Sequence, residues 1–199
     1  MQIKICGIKN EENLRHLCKL DIAYTGFIFA PSKRQVDLNL ATALAKISKE
    51  HGKKTVGVFV DESDEFITEC VKKIGLDVVQ IYKKISQNLY LKLKEFNTEV
   101  WQVFSVKDEL VIDENCAYDL LLFDTKGDKK GGNGFSFDWS VLKNYDKDFV
   151  LAGGIGLDNI KDALKTGAKI LDINSKVENE KMLKDCKLIE KILAEVKNV

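Results

Sequence analysis

Histidine is nearly missing from this chain, with two among 199 residues, His16 and His51. His16 falls within an expected amphipathic helix and His51 precedes Gly52 at a helix end, places that suit surface or C-terminal helix residues better than ligands or bases. Any acid–base pair therefore has to come from carboxylates, thiols, lysines or tyrosines. Cysteine is present but lacks pairing: Cys6, Cys18, Cys70, Cys116 and Cys186 are odd in number and show no CxxC spacing. That argues against a disulfide framework and against a metal site of the zinc type. An excess of one charge is also missing, since 31 Lys and Arg balance 31 Asp and Glu. No polyanion-binding surface is expected, and nucleic acid drops out as a partner. No apolar run approaches the ~20 residues of a membrane span. The start, MQIKICGIKN, has no basic segment leading into an apolar run and a small-residue cleavage site. A soluble, cytoplasmic protein is expected, with no membrane partner and with monomer and homodimer both open. No linker or low-complexity segment interrupts the chain, so residues 1–199 are expected to form one domain.

What is present is an alternation of strand and helix. Strands are expected at Gln2–Cys6, Thr25–Phe29, Lys54–Phe59, Val78–Tyr82, Glu99–Phe104, Asp119–Asp124, Phe149–Ala152 and Lys169–Ile173. Between them lie helical patterns: Leu40, Ala43, Leu44 and Ile47 behind an Asp37 cap, and Ile67, Cys70, Val71 and Ile74 ended by Gly75. Asn10 and Ser86 are further caps. The helical spacing makes Cys70 a core residue. A weak helix is expected around Asp108–Cys116 and a short one near Trp139–Leu142. Eight units in 199 residues, about 25 each, are what a (β/α)₈ barrel, the TIM barrel, requires. A doubly wound open sheet is the alternative, but no GxGxxG follows the first strand.

Function should gather at the C-terminal ends of the strands. The richest stretch is LLLFDTKGDKKGGNGFSFDW at 120–139: an apolar run ending in Asp124, then Gly127, Gly131, Gly132 and Gly134. A carboxylate there costs free energy unless paired or used. The other strand ends supply Cys6-Gly7, Arg34, Asp61, Gln80 and Tyr82, Gln102, Gly153-Gly154, and Asp172 with Asn174-Ser175. Gly153-Gly154 and Asn174-Ser175 follow strands seven and eight, where such barrels commonly hold phosphate; a tight βα turn is the plainer reading.

KICGIK at 4–9, GFIFAPSKRQV at 26–36, VGVFVDE at 56–62, DVVQIY at 77–82, the 120–139 stretch, LAGGIGLDNI at 151–160 and LDINSKVE at 171–178 stand in this order along the chain. Together they resemble the phosphoribosylanthranilate isomerase family of tryptophan biosynthesis over essentially the whole length. The resemblance implies an Amadori rearrangement of N-(5-phosphoribosyl)anthranilate to 1-(2-carboxyphenylamino)-1-deoxyribulose 5-phosphate, a small-molecule substrate handled without cofactor or metal. It implies Cys6 as general base and Asp124 as general acid. It implies Arg34 on the anthranilate carboxylate, Asp172 near the substrate, and Gly153, Gly154 and Ser175 around the phosphate. Four places depart from the family pattern: Tyr82 in place of a histidine, Asn10 in place of an arginine, Lys176 in place of a glycine, and Phe104-Ser105 in the region after strand five where an arginine is common.

The chemistry asks for the same residue types. Ring opening needs a protonated carboxyl, and burial at the end of an apolar strand would raise the Asp124 pKa. A cysteine base needs a positive neighbour, because a free thiol is only a few per cent ionised at neutral pH. Lys4 shares the Cys6 face of its strand. It either depresses the Cys6 pKa or merely neutralises an inward carboxylate such as Asp172. Phe135 is a candidate wall for the aromatic ring, and the 131–134 loop a cover beside the acid. Rival readings are a related phosphosugar barrel (indole-glycerol-phosphate synthase or a ribulose-phosphate epimerase) and a non-catalytic phosphate-binding barrel.

Overall fold

The computed structural model describes residues 1–112, 116–125, 127 and 136–198. Eight strands close into an all-parallel barrel in sequence order: β1 (Gln2–Ile5), β2 (Tyr24–Ile28), β3 (Lys54–Phe59), β4 (Val78–Ile81), β5 (Glu99–Val106), β6 (Leu120–Thr125), β7 (Phe149–Leu151) and β8 (Ile170–Ile173). The last strand pairs with the first, setting Lys4 opposite Asp172. The TIM barrel expected from the sequence is what forms.

Outside the barrel run α1 (Glu11–Leu17), α2 (Leu38–Glu50), α3 (Asp64–Ile74), α4 (Gln87–Lys94), α5 (Ile160–Lys165) and α6 (Cys186–Lys197). Their starts are local chemistry. The side chains of Asn10, Asp37, Ser63 and Ser86 accept from the main-chain N–H three residues on, satisfying donors that a first helical turn leaves orphaned. Gly75 ends α3 at φ +68°, a left-handed conformation natural to glycine. Cys70 is fully buried in the helix-facing core, as its spacing predicts.

One predicted helix differs, and the short one near Trp139–Leu142 forms where expected. Residues 108–112 are not helical, and 113–115 lie outside the described residues. Here β5 runs on past Phe104, because Ser105 and Val106 pair with Asp124 and Thr125 of β6. Trp139–Leu142 is a single 3₁₀ turn, with Asp138 accepting from Ser140 N–H.

Strand periodicity sorts the core into two layers. One face of each strand packs under the helices around Phe27, Phe59, Phe123 and Phe149. The other builds a separate interior cluster that includes Tyr24, Val56, Val78, Trp101, Leu122, Val150 and Ile170. Continuing the same two-residue steps towards the C-terminal mouth reaches Lys4 and Cys6, Gln80 and Tyr82, Asp124, and Asp172. The polar residues form the top storey of an otherwise apolar stack.

Candidate active site

At that mouth lies a cavity of about 820 Å³ whose lining includes Cys6, Arg34, Asp124, Gly153, Gly154, Asp172 and Ser175. The seven residues to which the resemblance gives a role thus line one space. Gln102 does not. It lies on the opposite face of β5 from Trp101 and Val103, where it receives the Ile85 N–H and donates to the carbonyls of Ile81 and Lys83, tying down the β4–α4 loop. Gly131, Gly132, Asn133, Gly134 and Phe135 lie outside the described residues.

The floor is a buried charge pair. Lys4 Nζ donates to Asp172 Oδ2 at 2.7 Å and to Gln80 Oε1 at 2.9 Å, with the lysine fully buried. Asp172 Oδ1, also buried, has no hydrogen-bond partner among the described residues. Burial opposes the charge on Lys4, but Asp172 and Cys6 outweigh it and hold the ammonium above its ordinary pKa. Cys6 moves the other way from what a base would want. Burial pushes its thiol up, Asp172 adds to this, and the positive charges of Lys4 and Lys184 only partly offset it. Lys4 is thus bonded to Asp172, and its charge favours the Cys6 thiolate without bringing the thiol below its ordinary value.

Asp124 stands at the end of β6 with both oxygens engaged. Oδ1 accepts the Thr125 N–H at 2.8 Å and Oδ2 accepts the Tyr82 hydroxyl at 2.6 Å. Burial lifts its pKa to about 6, against the hydrogen bond from Tyr82, with the charge of Asp172 adding to the rise. Gly153 sits directly behind it at φ +91°, where an added Cβ would overlap Thr125 Oγ1 and come within 2.9 Å of Asp124 Oδ1. Gly7 is tight for a similar reason: at φ +74°, its Cβ would lie 2.7 Å from Arg34 Cδ.

Arg34 comes from the loop after β2 and is fixed by a fork. Its Nε and Nη2 donate to Glu178 Oε1 and Oε2 at 2.7 and 2.6 Å. A guanidinium has five N–H donors, so the remaining ones can serve a ligand carboxylate. Glu178 also accepts from the buried Lys184 Nζ at 2.7 Å, which in turn donates to Asn174 Oδ1 at 2.8 Å. Burial works against charge on Glu178, but its bonds to Arg34 and Lys184 win and hold the carboxyl below its ordinary value. Lys176 points to Asp158, 3.0 Å away, in an exposed pair.

A family model for N-(5'-phosphoribosyl)anthranilate (PRA) isomerase matches residues 3–195. The chain belongs to this isomerase family. The N-(5'-phosphoribosyl)anthranilate isomerase of Campylobacter jejuni subsp. jejuni serotype O:6 is 53% identical over 197 residues, covering 99% of each chain. Among solved structures, the phosphoribosyl anthranilate isomerase of Thermotoga maritima superposes with a TM-score of 0.82 at 28% identity, covering 100% of both chains. A phosphoribosyl anthranilate isomerase in complex with reduced 1-(o-carboxyphenylamino)-1-deoxyribulose 5-phosphate gives 0.78 at 26% identity, again over 100% of both.

Two residues that hold the lining of this isomerase's cavity, through Arg34 and Asn174, escaped the sequence reading. Glu178 lay inside the quoted LDINSKVE stretch, so its place in the chain was visible while its partner was not. Lys184 carried no signal: it is one of 31 basic residues, and only the fold buries it. Tyr82, which stands where the family pattern has a histidine, donates its hydroxyl to the Asp124 carboxylate.

Proposed function

We propose that the protein catalyses the Amadori rearrangement of N-(5-phosphoribosyl)anthranilate, with Asp124 as general acid and Cys6 as general base. The observation that carries this reading is that a raised-pKa carboxyl and a thiol enter one cavity from different strands, β6 and β1. Asp124 protonates the furanose oxygen while the bond from that oxygen to C1 breaks and the nitrogen lone pair forms the iminium. Cys6, as thiolate, then removes the proton on C2, and the electrons move into the C1–C2 bond to give the enol-amine. Reprotonation at C1 with loss of the enol proton yields the ketose. The side chains supply both proton transfers, so the reading calls on no metal or cofactor.

Binding roles follow from charge and geometry. The Arg34 donors that Glu178 does not take suit the anthranilate carboxylate, and Asp172 Oδ1, without a partner among the described residues, suits a sugar hydroxyl. The turns at Gly153, Gly154 and Ser175 suit the phosphate, with Gly153 and Gly154 both at positive φ so that main chain can approach it closely.

Freshly prepared phosphoribosylanthranilate should lose its fluorescence on mixing with the protein. Asp124→Asn and Cys6→Ser should each cost roughly 10²–10⁴-fold in kcat, the usual share of general acid–base catalysis. Absence of turnover with a phosphate analogue still bound would instead make the barrel a binding module.

A further inference from the structure

Among the described residues, the donor that reaches Asp124 from another part of the barrel is the hydroxyl of Tyr82, just beyond the end of β4. The two oxygens of the carboxyl are not equivalent. Oδ1 faces the Thr125 N–H, which can only donate, so that contact persists whatever the protonation state. Oδ2 faces a phenol, which both donates and accepts. We propose that Tyr82 is the positioning residue of the acid, fixing the plane of the Asp124 carboxyl and placing the transferable proton on Oδ2. With Asp124 ionised, Tyr82 donates to Oδ2. With Asp124 protonated, Oδ2–H can donate to Tyr82 Oη, and the phenolic hydrogen turns away into the cavity that both residues line. The proposal rests on the acid role of Asp124 in the reading above.

The other ionisable groups acting on Asp124 are Asp172 from β8, which disfavours its charge, and Lys4 from β1, which favours it. Cys6, beyond β1, and Asp172 act on Tyr82 itself. None of these is changed by removing the phenol oxygen. The Tyr82 bond stabilises the charged form of Asp124 directly, so its loss should move the titration of Asp124 upward.

Tyr82→Phe keeps the ring and deletes only the hydroxyl. In the wild type, kcat/KM should fall as the pH drops below about 6, because the Asp124–Cys6 pair then holds two protons and no base remains. In Tyr82→Phe that limb should move up by about one pH unit, the scale of a hydrogen bond to a charged group. The plateau should fall less than tenfold. A ¹³C titration of the Asp124 carboxyl in the same variant should show the same shift without turnover. In the unmodified protein the Tyr82 Cζ signal should step with the Asp124 midpoint. An unmoved limb, an unmoved carboxyl midpoint, or no Tyr82 step overturns the assignment. If Asp124→Asn is fully active the acid reading itself fails; an unmoved limb beside an inactive Asp124→Asn sinks the Tyr82 assignment alone.

Discussion

Asp124 is held in a place that costs the fold stability. Its unfolded pKa is near 3.8 and its folded pKa is about 6. Between those values the folded state binds more protons than the unfolded one, so stability declines as the pH rises from about 4 to 6 and stays low above. The difference amounts to on the order of 2–3 kcal/mol at neutral pH. Asn can replace the carboxyl without orphaning its partners: its oxygen takes the Thr125 N–H and its amide donates to the Tyr82 hydroxyl. Asp124→Asn should thus raise the denaturation midpoint at pH 7–8, with the gain vanishing near pH 4, while turnover is lost. An unchanged midpoint at both pH values would contradict the cost assigned to the carboxylate. At the neighbouring thiol, Lys4 is the strongest influence favouring the thiolate. Lys4→Met should slow alkylation of Cys6 near pH 8 on the order of tenfold, about one pKa unit. Unchanged alkylation would leave Lys4 serving Asp172 alone.

At the scale of an element, the turn leaving β7 shows how a backbone conformation serves the site. Gly153 and Gly167 both have positive φ, +91° and +75°, but a Cβ at Gly167 would meet nothing within 4 Å. Gly167→Ala therefore bears only the left-handed strain, about 1 kcal/mol, and should leave activity intact. Gly153→Ala bears that strain and also drives a methyl into Thr125 and towards the Asp124 carboxyl. Its destabilisation should exceed that of Gly167→Ala, reaching about 1–3 kcal/mol, and turnover should fall with it. Equal effects of the two substitutions in denaturation and activity assays would refute the packing argument.

For the molecule as a whole, the seam where β8 meets β1 closes the barrel and places Lys4 directly opposite Asp172. A buried ion pair is a poor source of stability but expensive to break halfway. Lys4→Met and Asp172→Leu should each cost about 3–5 kcal/mol, by stranding the opposite charge. The double variant should regain most of that in urea denaturation, yet remain inactive if Cys6 and Asp172 hold the roles proposed for them. Additive losses in the double variant would show that the pair stabilises closure outright. The same seam carries the cavity, so the charge pair and the site are one construction.

The local elements of this fold were legible in the sequence because their causes are local. Strand alternation, helical spacing and the capping side chains of Asn10, Asp37 and Ser86 all act within a few residues. Lys54–Phe59 is delimited by pattern alone. The helix expected around 108–116 is not formed at 108–112, which follow a β5 that tertiary pairing carries on to Val106. The sequence by itself also fixed which strand ends carry polar groups, and hence the side chains that can reach the cavity. Only the tertiary structure decided who pairs with whom. Lys4 and Asp172 are 168 residues apart, Arg34 and Glu178 144, and Tyr82 and Asp124 42. No local pattern encodes such pairs; the register and closure of eight strands bring them within hydrogen-bond reach, and burial there sets their protonation.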